Sequence, residues 1–579
     1  MVQSSVLMRA HGARPHGALV MPDIQPKPTK IVRFGQSSFS TFRVVEMDIV
    51  RPSPNSMQFL YGHGASAHGA PMAPGFRLET YDTLNFSDAG FSAADGTPYP
   101  PYVTSAFDLN RAMTLTADAL GGALSAGGIT LVNIDGSLNA MLAANVNDHL
   151  PVRISAGQKL WDATRGIWND PAYDSLIPVF SGLGKSWKPD RTSVQIDLLD
   201  ATYWLTGAMP IGSYGGTGGL DGDSNVAGRS IPRLRGRAHN ITPVLIDSIN
   251  YVYHVSDGPG AVLALYEGGF AGGITYAGNV TDLYAAAPAP GTYVVQADRG
   301  GTWLRLGTKP VYAITADAEG KFRSGAAPAN VLDILRQFLL EDMLLPAAYI
   351  DPEWKETSTM APWPGGWFWD GSSSVTGKAA VTALLSGLGI TLIPTRTGTL
   401  LPIRLVAPSA SSNIVAEITP DVIIALSGDD LDGSLDPPTW RWRIGFAHNF
   451  TVQAAGSSLH PQITAAQQSF VAQQDRAAVW YSAEVKSRWR VPNDPDTIST
   501  ALTRQDDAAL IAQRHGALWG AKRKIWAVSI PQIYAWQIDL GDVVAITAPA
   551  PGLEQRAIGV VVGEAVQASS QTVTLQILV

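Results

Sequence analysis

Glycine and proline interrupt this chain so often that few long regular elements can form. The 579 residues include 57 glycines and 39 prolines. Between these breaks, short runs alternate apolar and polar residues, which is the pattern of a strand with one buried face. The clearest example is a hairpin in which Ile177–Leu183 returns as Ser193–Leu199 around the polar turn KPDRT. We therefore expect a mainly β protein of several β-barrel or β-sandwich domains.

One stretch has the period of helices instead. Apolar residues between 331 and 338 recur at three- and four-residue spacing behind Pro328, which predicts an amphipathic helix. A second helix is predicted over 376–386, and a hairpin follows around 397–398. This stretch predicts a smaller inserted domain of the α+β type.

These patterns divide the chain into five predicted segments. They are an N-terminal arm (1–35), a first β-barrel domain (36–211), a β-rich second domain (212–322), a small α+β domain (323–430) and a last β-barrel domain with flanking helices at about 464–482 and 503–518 (431–579).

The first and last barrel domains share a pattern. The first contains VRIS, PVFSGLG and SVQIDLL, and the last contains VVAIT, AIGVVVGEA and TVTLQIL. Each set is a strand, a loop, a glycine-containing strand, a polar turn and an alternating strand. The similarity predicts two related barrels in one chain, so that three chains would place six barrels in a ring.

Composition excludes several classes of function. Hydrophobic residues make up 45% of the chain but charged residues only 16%, against a usual charged share of about 25%. We therefore expect a surface that other subunits partly cover. The net charge of −8 argues against a dedicated nucleic-acid binder, and the absence of cysteine excludes disulfides, cysteine-bound zinc and thiol nucleophiles. Without a signal peptide or a long apolar run, neither secretion nor membrane spanning is expected.

Motifs for catalysis or cofactor binding are not satisfied. Gly184-Lys185-Ser186 suggests a phosphate loop, but Val179 stands where its first glycine belongs. The sequence contains neither H-E-x-x-H nor G-x-S-x-G. We therefore predict a protein without enzyme activity, with no catalytic, cofactor-binding or metal-binding residues.

Two aromatic clusters are candidate interface anchors, because tryptophan is enriched at interfaces. They are Trp363, Trp367, Phe368 and Trp369, and Trp440 with Trp442. Aromatic rings spaced by glycine and proline also stack on sugars, which leaves a carbohydrate-active enzyme or carbohydrate-binding module as an alternative.

A glycine-rich loop and a nearby basic run form a candidate docking or gating loop. Its residues are Gly215, Gly216, Gly218, Gly219, Arg233, Arg235 and Arg237. The arginines would meet an acidic partner or DNA, or would lie in a salt-bridged loop.

Several segments, taken in order, resemble a known family. They include LNFSDAGF, ITLVNIDGSLNAML, VFSGLGKSW, SYGGTGGLDGD, YVYHVSDGP, KPVYAITADAEG and WRWRIGFAHNFTVQ. Together they resemble the baseplate hub or tail-tip proteins of siphophages and gene-transfer-agent-like particles. The resemblance covers about residues 80 to 579 and is weaker between 340 and 430.

The resemblance implies a virion protein of the tail tip, made in the cytoplasm of a bacterial host. It implies a trimeric hub whose two barrel domains continue the sixfold symmetry of the tail tube. The partners implied are the distal tail protein, the tape-measure protein and a central fibre or receptor-binding protein, and the hub would open for DNA passage. The family supplies no catalytic residues, and some relatives are far longer than this chain. A hexameric distal tail protein is the alternative within the same class.

Overall fold

The computed structural model describes residues 29–30, 39–50, 81–105, 108–117, 120–409, 412–454, 458–567 and 571–579. Strands account for 42% of the structure and helices for 16%, and one sheet is nearly closed and barrel-like. The predicted mainly β fold is therefore confirmed. Apart from Thr29–Lys30, the predicted arm of residues 1–35 lies outside the described residues.

The strands are short and numerous, as the frequent glycines and prolines predict. In the first third they are β1 (Thr29–Lys30), β2 (Phe39–Val50), β3 (Tyr81–Ser87), β4 (Phe91–Ser92), β5 (Pro98–Tyr99), β6 (Val103–Ser105), β7 (Asp108–Leu115), β8 (Leu120–Ala126), β9 (Gly128–Val132), β10 (Pro151–Asp162), β11 (Ile167–Asn169), β12 (Ile177–Pro189) and β13 (Ser193–Leu199). In the middle they are β14 (Arg233–Ile241), β15 (Val244–Asp247), β16 (Val252–Ser256), β17 (Gly260–Glu267), β18 (Thr275–Asn279), β19 (Thr292–Asp298), β20 (Gly301–Leu306), β21 (Ile314–Gly320), β22 (Gly366–Trp369), β23 (Ile390–Pro394) and β24 (Leu400–Arg404). The last are β25 (Ile414–Ile418), β26 (Ala425–Asp429), β27 (Arg441–Phe446), β28 (Arg476–Tyr481), β29 (Ile525–Pro531), β30 (Val543–Ile546), β31 (Ala557–Gln567) and β32 (Thr572–Leu578).

The α-helices are also short. They are α1 (Asn139–Ala144), α2 (Val331–Gln337), α3 (Trp354–Met360), α4 (Gly377–Leu385), α5 (Ala465–Val471), α6 (Ala483–Arg488), α7 (Gln505–Trp519) and α8 (Gln532–Ala535). The helix predicted behind Pro328 begins later, because the Asn330 side chain accepts a 2.8 Å hydrogen bond from the Asp333 amide and caps α2. Its last turn is a π-helix, Phe338–Asp342.

Two large sheets lie at the two ends of the chain. The N-terminal sheet has the order β3-β2-β10-β12-β13-β9-β6, with β11 paired to β10. The C-terminal sheet has the order β1-β25-β30-β31-β32-β29-β26, with β7 paired to β31 and β8 paired to β7. One apolar core extends from the N-terminal sheet through α2 and α4 to the C-terminal sheet.

The two sheets share the same arrangement of six strands. In the N-terminal sheet the shared order is β2-β10-β12-β13-β9-β6, and in the C-terminal sheet it is β25-β30-β31-β32-β29-β26. A short helix connects the same two strands in each sheet: α1 lies between β9 and β10, and α8 lies between β29 and β30. The sheets differ at one pair, since β2 runs antiparallel to β10 while β25 runs parallel to β30. The similarity that the sequence indicated is therefore present as a common topology.

The register agrees as well as the order. Gly182 of β12 lies opposite Val152, and Gly559 of β31 lies opposite Val544. A Cβ on Gly182 would lie 2.3 Å from the carbonyl oxygen of Leu199, and a Cβ on Gly559 would lie 2.9 Å from that of Leu578. Beyond these glycines, β12 and β31 each have a register shift against the neighbouring strand. The matched glycine and the matched register shift are both expected of a structural unit that has been duplicated.

Between the large sheets lie a four-stranded sheet, β17-β21-β14-β22, and a five-stranded sheet, β15-β16-β20-β19-β18. Strand β22 comes from the predicted α+β domain and β14 from the predicted second domain, yet they pair along Gly366–Trp369. Likewise β7 comes from the predicted first barrel domain and pairs with β31 of the last. The sheets therefore cross the predicted segment boundaries.

The structure confirms one of the two helices predicted in the last segment and contradicts part of the other. The helix expected over 503–518 is confirmed as α7, whereas the helix expected over 464–482 is wrong beyond Val471. Residues Arg476–Tyr481 instead form β28, which pairs with β27 from Arg441↔Tyr481 to Phe446↔Arg476. Tertiary pairing with β27 overrides the helical appearance of the alanine- and glutamine-rich run.

Candidate functional site

The two duplicated sheets are joined by a strand that leaves one sheet and completes the other. Strand β7 follows β6 of the N-terminal sheet but pairs antiparallel with β31, from Ala112↔Gly563 to Asp108↔Gln567. Strand β8 then pairs with β7 before the chain returns as β9. Backbone pairing fixes direction and register at once, so this contact sets how one sheet is placed against the other.

A buried ionic cluster lies across this contact, which we call the joint and define by Arg111, Arg396, Asp539 and Glu564. Arg111 of β7 donates from Nη2 to Asp539 Oδ1 at 2.7 Å and from Nε to Glu564 Oε2 at 3.1 Å. Arg396 donates from Nη2 to Glu564 Oε1 at 2.7 Å. Arg111 and Glu564 are both almost fully buried. Two cations and two anions are thus balanced across this contact, and Asp539 is the most exposed of the four, with 33% of its side chain accessible.

The opposite charges of the joint stabilise the ionised forms of Arg111 and Asp539. Burial alone would lower the pKa of Arg111, but Asp539 and Glu564 outweigh it and the pKa is raised. Burial would raise the pKa of Asp539, but Arg111 and Arg396 hold it below its ordinary value. Removing one partner would leave an unpaired charge inside the protein, which is costly.

A second contact supports the joint. Arg43 of β2 donates from Nη2 to Gln532 Oε1 of α8, and both side chains are buried. The Arg43 backbone amide also donates to Asp88 Oδ1 at 2.8 Å. The N-terminal sheet therefore contacts the C-terminal sheet at the strand pairing and at α8.

Five of the six candidate interface anchors lie in the core of the chain itself. They are Trp363, Trp367, Phe368, Trp369 and Trp442. Their prediction as anchors for another subunit is corrected, because buried rings are not available to a partner. Trp367, Phe368 and Trp369 belong to β22, which is buried along its length. Sequence alone cannot tell an interface tryptophan from a core one, since both environments are apolar.

Trp440 is the exception, since it is half-buried and has cations on its ring. The guanidinium of Arg441 lies 4.5 Å from the ring centroid and Lys486 Nζ lies 4.1 Å away. A nearby cavity of about 530 Å³ is lined by Trp480 and Trp489 together with charged side chains. Any stacking of sugar rings on this protein would therefore be sought here and not at the buried cluster.

The glycine-rich loop is folded around one carboxylate. Asp221 accepts hydrogen bonds from the amide of Gly215 at 2.9 Å and from the hydroxyl of Thr217 at 2.7 Å. These hydrogen bonds hold the pKa of Asp221 below its ordinary value. Gly216, Gly218 and Gly219 have φ values of 75°, 100° and 61°, which favour glycine. The loop is exposed and structured, and its role in docking or gating stays a prediction.

The arginine run lies on a strand and not on a loop, so that part of the docking-loop prediction is corrected. Arg233, Arg235 and Arg237 belong to β14. Arg235 donates to Asp257 at 2.7 Å and to Asp342 at 2.8 Å, and Arg233 also binds both carboxylates. Burial raises the pKa of Asp342, whereas the arginines hold that of Asp257 low against the same burial. Of the three arginines only Arg237 is exposed, so Arg233 and Arg235 form ion pairs within the chain.

Two other features, a metal-binding group and a membrane-spanning helix, are absent from the residues that the structure describes. In the described part of the chain, no group of three His, Asp or Glu side chains is arranged to hold a metal ion. Among the helices that the structure describes, none is both long enough and apolar enough to cross a membrane.

Sequence reasoning missed the joint. Arg111 interrupts the apolar face of β7, and Glu564 interrupts a strand of otherwise apolar character; a lone charge at such a position signals a buried ion pair. That signal identifies each residue as unusual but not its partner, because 453 positions separate the two.

No family model matches the sequence, and no curated protein is similar to it. Solved structures give more remote similarities. The chain is similar to the tail protein from Neisseria meningitidis MC58, at 9% identity and a TM-score of 0.36 over 83% of this chain and 95% of that one. It is also similar to the 43 kDa tail protein of prophage MuSo2 from Shewanella oneidensis, at 11% identity and a TM-score of 0.30 over 84% and 94%. The prophage tail protein gp18 from Listeria monocytogenes EGD-e aligns at 9% identity and a TM-score of 0.27 over 86% and 91%. Scores this low do not establish a shared fold.

Proposed function

We propose that this chain is a structural hub protein of a phage tail tip, in which three copies close into a ring of pseudo-sixfold symmetry. The observation that carries the proposal is the duplicated sheet: one chain contains the same six-strand arrangement twice. Three such chains place six similar sheets around one axis, as the tail tube requires of a component that continues it.

The joint supports a role as a rigid adaptor. Six similar positions match a six-part tube only when the two sheets of each chain keep a fixed spacing. Strand pairing between β7 and β31 fixes that spacing, and the buried ionic cluster reinforces it. A flexible linker between the sheets would not do this, because its end-to-end distance varies.

The partners follow from this position and from the family that the sequence resembles. On one side the ring would bind the distal tail protein and the end of the tube, with the tape-measure protein inside. On the other side it would bind a central fibre or receptor-binding protein. It would open during DNA passage, and its place would be the tail tip of the virion. A mechanical role of this kind involves no catalysis.

The experiment is to measure the mass of the purified protein in solution and to image the particles by electron microscopy. The expected result is a threefold assembly with six lobes of similar size. Six copies with one lobe each would instead indicate a distal tail protein. A monomer that cleaves polysaccharide would contradict both and favour the carbohydrate-active alternative.

A further inference from the structure

The two large sheets differ along one edge. In the C-terminal sheet, β7 covers residues 563–567 of β31. The equivalent residues of β12 follow from the pairing of β12 with β13 and of β31 with β32. By this criterion Glu564 and Val566 correspond to Trp187 and Pro189. Within the described residues, no strand pairs with β12 on this side beyond Gly184. The position that β7 fills in one sheet is therefore vacant in the other.

This vacant edge is poorly suited to accept a strand. Pro189 has no amide hydrogen to donate, where its counterpart Val566 has one. Lys185 and Lys188 are exposed beside it. Lysine and proline on an edge strand are the residues that prevent further strand addition. The contact that joins the two sheets within a chain is therefore not repeated at this edge between chains.

A different element of the N-terminal sheet is exposed and apolar. Strands β10 and β11 form a hairpin in which Trp161 pairs with Trp168, with ring centroids 5.2 Å apart. The exposed fractions are 61% for Leu160, 42% for Trp161, 46% for Ile167 and 43% for Trp168. Such a concentration of large apolar side chains marks a contact surface.

The hairpin has large apolar side chains on both faces. Because side chains alternate along a strand, Trp161 and Trp168 lie on one face, and Leu160 and Ile167 lie on the other beside their cross-strand partners Asn169 and Asp162. Polar groups surround them: Lys159 pairs with Asp170 at 2.8 Å at the base, and Asp162 lies at the turn. An apolar centre with a polar rim is the anatomy of a protein interface. A charged rim at the tip does not suit insertion into lipid.

The duplicated sheet has no such hairpin. Its equivalent strands, β30 and β31, are joined by residues 547–556, in which Ala548, Ala550 and Leu553 are buried against the molecule. The hairpin is thus an addition to one of two otherwise matched units. It would occur three times around a ring of six sheets.

From these observations we infer that the β10–β11 hairpin is the contact between copies of this chain, packing head to tail on the next molecule through its exposed apolar side chains. This inference rests on the proposed function. A ring of duplicated chains needs two kinds of contact between sheets. The joint is the first, within a chain, and the blocked edge of β12 excludes its reuse between chains. Of the elements of the N-terminal sheet, the hairpin exposes a cluster of large apolar residues suited to the second.

The experiment compares the self-association of full-length variants by sedimentation. In one variant Trp161→Ser is combined with Trp168→Ser, and in a second Leu160→Ser is combined with Ile167→Ser. The matched control combines Ile249→Ser with Val311→Ser, at positions more exposed than any of the hairpin residues. Each hairpin variant is expected to raise the dissociation constant at least about tenfold, while the control leaves it unchanged. Circular dichroism establishes that each variant is folded.

Hydrogen exchange of the wild-type protein provides a measurement without substitutions. The amides of residues 160–169 are expected to exchange more slowly above the dissociation constant than below it, while those of Trp187 and Lys188 do not change. If the wild type associates and the hairpin variants associate equally well, the inference is wrong and the proposed ring stands. Protection appearing at Trp187 and Lys188 in place of the hairpin would also overturn it. A wild type that stays monomeric at every concentration contradicts the proposed ring and this inference with it.

Discussion

The N-terminal and C-terminal sheets agree in strand order, register and glycine position but differ along their edges. Strand β31 has its outer edge covered by β7, whereas no strand among the described residues covers the equivalent edge of β12, which contains lysines and a proline. The N-terminal sheet has the hairpin β10–β11 with its exposed apolar side chains, whereas the connection in the C-terminal sheet has Ala548, Ala550 and Leu553 buried. In a duplicated fold, packing keeps the interior alike because both copies must fill the same space. The edges are free to change, so differences in assembly are found there.

The largest expected effect tests whether the joint holds the two sheets together. We expect Arg111→Ala to destabilise the protein by about 3–5 kcal/mol, because it leaves the buried Glu564 and the partly exposed Asp539 with Arg396 as the only cation of the joint. The measurement is chemical denaturation. Arg153→Ala is the control, since its ion pairs with Asp48 and Glu46 on the N-terminal sheet are partly exposed, and it should cost about 1 kcal/mol or less. Equal losses in the two variants would contradict the assigned role of the joint.

Next in size is the cost of filling the matched glycine positions. Both Gly182→Ala and Gly559→Ala would push a methyl group against a backbone carbonyl of the adjacent strand. We expect each to cost about 1–3 kcal/mol, measured as a shift in the denaturation midpoint. Gly207→Ala is the control, because no atom lies within 4 Å of its added Cβ. A large loss at one glycine and none at the other would break the proposed equivalence.

Acid is expected to change stability in opposite directions at two carboxyl groups, because the pKa of Asp539 is lowered and that of Asp88 is raised. The pKa of Asp539 is below its ordinary value of 3.8, so the stability that its ionised form contributes is lost as the pH falls through the folded-state pKa. Burial raises the pKa of Asp88 in the N-terminal sheet, so protonation there favours the folded state as the pH falls. We expect Asp539→Asn to make the acid loss of stability shallower and Asp88→Asn to make it steeper. Denaturation midpoints across acidic pH measure both, and slopes that change in the same direction would refute the contrast.

The smallest effect on stability is expected from Pro189→Val, which gives β12 the residue type that β31 has at Val566. Pro189 is exposed at the end of its strand, so its loss should cost less than about 1 kcal/mol. The restored amide should nevertheless increase self-association through the edge, seen as a larger mass in light scattering. Pro551→Val is the matched control, because it makes the same replacement at an exposed turn that belongs to no strand. Unchanged mass in Pro189→Val would show that the proline does not block this edge.

Local sequence patterns predicted those elements whose structure depends mainly on neighbouring residues. The hairpin of β12 and β13 follows from period-two alternation, and buried Val194 and Ile196 confirm it. Helix α4 follows from its apolar spacing and is capped by Thr376. The polar turn was predicted too wide, since Lys188 and Pro189 still belong to β12.

Contacts between distant segments were not predictable in this way. The partner of Arg111 lies near the other end of the sequence, and no short pattern encodes it. Arg235 was interpreted as part of a basic loop because its carboxylate partners, Asp257 and Asp342, lie on separate elements. The aromatic cluster around Trp367 was predicted as an interface because composition gives apolarity but not location. For the candidate site, the sequence therefore predicted the duplication and missed the contact that joins its copies.

The crossing of β7 to β31 has a consequence for how this protein is made. The hairpin of β7 and β8 leaves the ribosome early, but the strand it completes ends at residue 567. The C-terminal sheet therefore cannot finish folding until residue 567 has been synthesised, and until then the pairing edge of β7 lacks the strand that covers it in the folded molecule. Contacts of such long range slow folding. Production of the protein would accordingly depend on translation speed and on chaperones that shield an early hairpin.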